Sequence, residues 1–274
     1  MYQPGAAEKV AGIQETLQKL QRSPEGWQLA DSLLGNKEES VRFFGALTFI
    51  VKLNTDSCVQ YPCPELREAN EQSKSLSDDD ARALLQNIIG WLIRCLRNGE
   101  GALVVRKLCS TLVTYFLQFS TSWTNCVKHL MYCVCIEQPS PYGTLGDAPE
   151  TAVLVQNMLN EKAIAILWFA STLVEEVGKM DSNSMKQFDT SFPRSLYRAD
   201  LLIRHKFHQQ MVPNVDEIVP LIAKYIANDA TRGDVKVRQE AMRCFQVCFP
   251  RGDLLFIRQT DFLGICFLLA SRVY

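Results

Sequence analysis

What this sequence lacks narrows its function before anything it contains is read. Charge of neither sign dominates: 29 Lys and Arg stand against 30 Asp and Glu, for a net charge of −1 and a pI of about 6.3. Binding nucleic acid through bulk charge needs a basic field, so that class has no electrostatic basis at the level of the whole chain. No run reaches the ~18–20 continuous apolar residues of a membrane span; the nearest, Phe262–Ala270, is too short. Met1–Lys9 contains no apolar core of the kind a secretory leader needs, so none is expected. Strand signals are scarce, and no Asn-Gly or Asp-Gly turn separates alternating runs. Catalytic signatures are missing as well: there is no Gly-x-Ser-x-Gly elbow, no phosphate-binding loop and no His-Glu-x-x-His. Catalytic groups can converge from distant positions, but neither an enzyme nor a cofactor is expected.

What is present is globular. The 274 residues are 47% hydrophobic and 22% charged, enough for one large domain or two ordinary ones. Ten cysteines raise the question of disulfides. Cys95, Cys109, Cys133, Cys244 and Cys266 lie inside apolar helical stretches, where a free thiol acts as a small hydrophobe. A reducing, intracellular compartment is the simpler expectation.

Helical periodicity runs along the chain. Val10, Ile13, Leu17 and Leu20 recur at helical spacing. Ser23-Pro24 reads as an N-cap with proline at the first helical position, opening a helix over about 24–34 that Gly35-Asn36 ends. Further helices are expected at about 38–54, 78–98, 101–119, 122–136, 151–178, 214–228 and 235–249. Ser77 with Asp78–Asp80 is a favourable start for the helix over 78–98: a cap, and acids at the positive end of the dipole. Between 179 and 213 the pattern is ambiguous, and a helix over about 196–210 is the reading adopted. The fold class is therefore all-α.

A short pattern, Val-Arg-x-x-small, recurs at Val41-Arg42 to Gly45, Val105-Arg106 to Cys109, and Val237-Arg238 to Ala241. On a helix the valine and the small residue would face a partner helix at close approach, while the arginine could reach an acid of a neighbouring repeat. That is the arrangement expected of stacked HEAT-type helix pairs, here counted as 6–34, 38–98, 101–136, 151–210 and 214–249.

Sharper readings of single residues give way to plainer ones. Cys133 and Cys135 are two residues apart and point to different helix faces, and Cys58 with Cys63 lacks a second pair at zinc spacing. His205 and His208 share a face, but no third ligand is placed to complete a metal site. Asp78–Asp80 reads as a helix cap rather than a docking site, and Glu65–Glu71 and Glu175-Glu176 as solvated charge.

The segment from Leu20 to Trp27, followed by Val41-Arg-Phe-Phe-Gly-Ala-Leu-Thr-Phe-Ile-Val-Lys-Leu-Asn54, resembles the importin-β N-terminal region. Trp27, Arg42, Phe43, Phe44, Ala46, Leu47 and Lys52 carry the likeness, and their expected role is mainly structural. It extends through 81–136 and, more loosely, through 163–177 and 213–245; the nearest branch is the importin-thirteen-like receptors of fungi. The implied organisation is an N-terminal-like region over 1–54, exportin/importin-β-like HEAT repeats over 78–249, and an atypical tail over 250–274.

The resemblance implies a right-handed α-α superhelix that shuttles between nucleus and cytoplasm as a monomer. It binds Ran in its GTP form through the second helices of its first pairs, here about 24–34, 78–98 and 122–136. By location, Gln28, Asp31, Arg82, Gln86 and Lys128 are the candidate Ran-binding residues. Protein cargo and nucleoporins would engage a longer version, since family members are several times this length. The tail after Phe249, and less so 188–204, departs from a further repeat and reads as the end of a truncated product or of a wrongly delimited gene, with weakened Ran binding. The rival expectation is a helical-repeat scaffold that binds another protein and no GTPase.

Overall fold

A computed structural model describes residues 6–56, 76–187, 211, 213–226 and 235–248. Among them there is no strand. The helices are α1 (Ala6–Arg22), α2 (Gly26–Leu34), α3 (Glu39–Asp56), α4 (Asp78–Arg97), α5 (Ala102–Phe119), α6 (Cys126–Ile136), α7 (Thr151–Gln156), α8 (Asn160–Gln187), α9 (213–226) and α10 (Val235–Cys248). A 3-10 turn at Tyr142–Asp147 joins α6 to α7. The expected helix over 196–210, the tail 250–274, the stretch 188–204, and Cys58, Cys63, His205, His208 and Cys266 lie outside the described residues.

Local chemistry accounts for both ends of α4. Ser77 is extended (φ −64°, ψ 158°) and its hydroxyl accepts from the Asp80 amide at 3.2 Å, so the cap read from sequence is present. At the other end of α4, Gly99 adopts φ +64°, letting its amide reach the Leu96 carbonyl and the Glu100 amide reach that of Cys95. This turn delivers Glu100 to Arg42 of α3, with which it forms a half-buried ion pair.

Two ends differ from expectation. Ser23 does not cap α2: its hydroxyl donates back to the Leu20 carbonyl at 2.9 Å, and Glu25 precedes the helix without a side-chain cap. Nor is 151–178 one helix. The chain breaks after Gln156, restarts at Asn160 and runs on to Gln187. Four contacts from α9 stabilise the break: Lys224 Nζ donates to the carbonyls of Val155 (2.7 Å), Met158 (3.3 Å) and Gln156 (3.4 Å), and the Tyr225 hydroxyl donates to Met158 at 3.2 Å.

The helices stack in two layers. One holds α3, α5, α8 and α10 in series; α2, α4 and α6 lie against it, with α1 on the flank of α2 and α3. α9 continues the second layer. Its fully buried Asn214 accepts from the Val127 amide at 3.1 Å and donates to the Thr124 carbonyl at 2.7 Å, capping α6 from 87 residues away in sequence. The result is a HEAT-type helical solenoid with one continuous core. Between the layers the closest packing joins α2 to α3, α4 to α5 and α6 to α8, each one helix later than the pairs read from sequence.

By length and composition α5 alone among the described helices could cross a membrane, although Arg106 and Lys107 interrupt its apolar run. It is instead the central helix of the core, packed on α3, α4 and α8.

The recurring pattern has the geometry expected of it at most positions. Gly45, Cys109 and Ala241 are buried, as are Val105 and Val237, while Val41 is half-buried. At Gly45 a Cβ would stand 2.8 Å from the Leu34 amide nitrogen and 2.9 Å from the Ala30 carbonyl, closer than real contacts allow. Arg106 pairs with Glu240 of α10 at 2.6 Å and lies over Trp168 of α8 at 4.4 Å. Arg238, in the third copy, has its Nε and one terminal nitrogen buried without a partner among the described residues.

His129 is buried in the middle of this stack. Its Nδ1 accepts from the Trp123 indole at 3.0 Å and its Nε2 lies 2.9 Å from the Ser140 carbonyl, which assigns the neutral ring with the proton on Nε2. Burial holds its pKa below the ordinary 6.5, with the Ser140 carbonyl opposing.

Two outcomes follow. Gly45→Val forces α2 from α3 and lowers the urea midpoint, a loss of about 1–3 kcal/mol or more. For His129 the unfolded chain takes up a proton near pH 6.5 that the folded chain refuses. Its contribution to stability is therefore complete above that pH and is lost as the pH falls from there through the lower pKa of the folded state. Melting temperatures between about pH 7.5 and about pH 5.5 should fall more steeply for the wild type than for His129→Gln.

Candidate protein-interaction surface

The layer of α2, α4 and α6 carries the polar residues of interest. On α2, Gln28 is exposed, while Asp31 is half-buried and accepts from the Trp91 indole at 2.6 Å and from Asn87 Nδ2 at 3.2 Å. Asp31 therefore ties α2 to α4. On α4, Arg82 is 72% exposed and lies 3.6 Å from Asp79. Arg82 and Gln86 share a cavity of about 430 Å³ with Asp78, Tyr115 and Tyr142. On α6, Lys128 is half-buried and faces Glu217 of α9; burial raises the Glu217 pKa and the Lys128 charge opposes the rise. The fold thus brings Arg82 and Gln86 to one hollow, ties Asp31 to α4 and leaves the Lys128 charge near enough to Glu217 to act on its pKa.

Reasoning from the sequence missed several groups on this layer. Trp91 and Arg94 sit three residues apart on α4, with the guanidinium carbon 4.1 Å from the indole centroid; that spacing was a readable signal. Asn87 joins them through Asp31. Tyr142 had no such signal, because tertiary contacts hold it: its hydroxyl accepts from the Asn125 amide at 3.1 Å, and its ring stands edge-on to His129 at 5.4 Å.

A second polar cluster closes the far end of the layer. Glu137 adopts φ 55° just after α6 and joins three helices: Lys162 of α8 donates to it at 2.7 Å, and Arg97 of α4 approaches its carboxylate at 3.4 Å and its carbonyl at 3.1 Å. Hydrogen bonding from Lys162 holds the Glu137 carboxyl below the usual carboxylate range. These residues rim a cavity of about 360 Å³ with Leu96, Val134 and Leu159.

The residues that carried the family likeness lie at the α1–α3 end. Trp27 packs on Phe49 with ring centroids 6.0 Å apart, and the buried Lys52 places its ammonium 5.5 Å from the Trp27 ring. Phe43 lies under Lys107 at 5.1 Å, Ala46 is fully buried, and Phe44 and Leu47 are half-buried. Arg42, besides Glu100, donates to the carbonyls of Asn36 (3.0 Å) and Lys37 (2.6 Å).

Among the described residues no group of three or more His, Cys, Asp or Glu could hold a metal ion. Cys133 faces His129 while Cys135 reaches the Leu154 carbonyl, so the two do diverge. Burial pushes the thiol pKa of Cys109 up to about 12 and those of Cys95 and Cys133 up to about 11, which suppresses the thiolate.

Over 110 residues, 40% of its length, the chain is 32% identical to the importin beta-like protein kap111 of Schizosaccharomyces pombe. The match spans 9% of that relative's length. This likeness supports the importin-β, or karyopherin, family. No family model matches the chain, and no solved structure matches it. The helical-repeat fold agrees with the importin-β likeness.

Asp31 tests how the surface is held. Asp31→Ala leaves the Trp91 indole without its acceptor and should cost about 1–3 kcal/mol, whereas Asp31→Asn, which keeps an acceptor oxygen, should cost less. Denaturation midpoints with tryptophan fluorescence provide the measurement.

Proposed function

We propose that this chain is part of a nuclear transport receptor of the importin-β family that binds Ran in its GTP form through the layer of α2, α4 and α6. The observation that carries the reading is the likeness to an importin beta-like protein in a chain whose helices stack as a HEAT-type solenoid. A layer of helix faces side by side offers a broad surface, so recognition would rest on shape and charge complementarity rather than one pocket. Arg82, Gln86 and Gln28 are the groups proposed to meet the GTPase. Asp31 is proposed to act there indirectly, through its hydrogen bonds with Trp91 and Asn87, and Lys128 through its charge near Glu217.

Within this reading the importin-thirteen-like branch of fungi is the proposed nearest relation. The importin-β N-terminal region is proposed over 1–54 and the repeats over 78–249. Protein cargo and nucleoporins are the proposed partners of a longer version, which would shuttle between nucleus and cytoplasm as a monomer. Specificity for GTP would come from the switch conformation of the GTPase.

A second reading, a helical-repeat scaffold without GTPase binding, is favoured by the commitment of Asp31 to Trp91 and Asn87. Pull-down with Ran loaded with a GTP analogue or with GDP decides between the two. The transport reading expects clear preference for the GTP form; equal or absent binding would leave the scaffold.

A further inference from the structure

On the α2/α4/α6 layer one guanidinium is positioned without being used. Arg94 is exposed near the end of α4, and its guanidinium carbon lies 4.1 Å from the centre of the Trp91 ring. Trp91 cannot swing away freely, because it is only 8% exposed and its indole nitrogen donates to Asp31 at 2.6 Å. Asp31 also receives Asn87. Of the neighbouring arginines, Arg97 pairs with Glu137, and Arg82 lies 3.6 Å from Asp79 with both side chains largely exposed. Arg94, by contrast, forms no ion pair and donates no side-chain hydrogen bond among the described residues.

A guanidinium lying on an indole keeps its donors around the rim, and the stack restricts the rotamers of a long side chain before any partner arrives. The planar fork matches a carboxylate in two parallel hydrogen bonds. Ordering that side chain in advance removes part of the cost that binding otherwise carries. We infer that Arg94, held on Trp91, is a carboxylate anchor of this surface and takes an aspartate or glutamate side chain of the bound protein partner. That the partner is the GTPase rests on the proposed function; that it presents a carboxylate rests on the unpaired fork.

Affinity for Ran carrying a GTP analogue, measured on the whole chain as wild type, Arg94→Ala and Arg94→Lys, tests this. Circular dichroism melts should agree closely for all three, since an exposed stack of this kind contributes little to stability. The expected result is a Kd at least about tenfold weaker for Arg94→Ala, with Arg94→Lys between it and the wild type because it keeps charge but loses the fork. Unchanged affinity in both variants would overturn the anchor and leave the proposed function standing. If the wild type itself does not bind Ran, the proposed function fails, and titration with oligoglutamate, followed by the Arg94 Nε–H resonance in NMR, decides the anchor. A saturable shift absent with oligolysine supports it; no shift rejects it.

Discussion

The structure depends on how closely its helices approach the layer of α3, α5, α8 and α10 and one another within it. A helix crossing another at short distance needs small side chains at the crossing. Gly45 supplies this between α2 and α3, where even a methyl group would collide with backbone. Further along, the Thr111 hydroxyl of α5 lies 3.1 Å from the Ala46 carbonyl of α3, and Cys109 lies 3.4 Å from the Ala165 carbonyl of α8. Ala46, Cys109, Ala165 and Ala241 are all fully buried. Once these crossings are set, the positions of α2, α4 and α6 follow, because each lies against a member of that layer. The candidate surface is therefore a consequence of packing on the other side of the core.

Much of this was legible from residues close together in sequence. The acids and serine at the start of α4, the Asn98-Gly99 stop and the apolar periodicity of α5 are local signals, and each helix falls within a few residues of where they put it. What failed was non-local. Nothing in 151–178 announces a break after Gln156, since the groups that satisfy its carbonyls belong to Lys224 and Tyr225 on α9. Ser23 has the residue type of a cap but spends its hydroxyl on the preceding turn. A propensity argument sees the residue and not the competitor for its hydrogen bond.

The surface was legible to a smaller degree, for the same reason. Choosing polar positions on α2, α4 and α6 by location found Arg82 and Gln86, which line one hollow. It also found Asp31 and Lys128, whose charges face neighbouring helices. Helical periodicity reports which face a residue occupies, but the orientation of its polar group is set by whatever stands opposite on the next helix. Trp91 illustrates the point: its indole looks like core in the sequence, yet one edge is anchored by Asp31 and one face supports Arg94.

Structural and binding roles need not exclude each other on such a layer. Asp31 stabilises the α2–α4 junction, and through Trp91 it also fixes the platform on which Arg94 rests. Glu137 plays a comparable part at the other end, where one left-handed residue gathers Arg97 and Lys162 from two helices. In a solenoid each repeat touches only its neighbours, so such ties add to the packing of the core in holding one face rigid. Polar ties across successive helices therefore do two things: they resist sliding between repeats, and they leave selected groups oriented but unpaired. Arg94 is such a group, and its orientation depends on a carboxylate that never touches it.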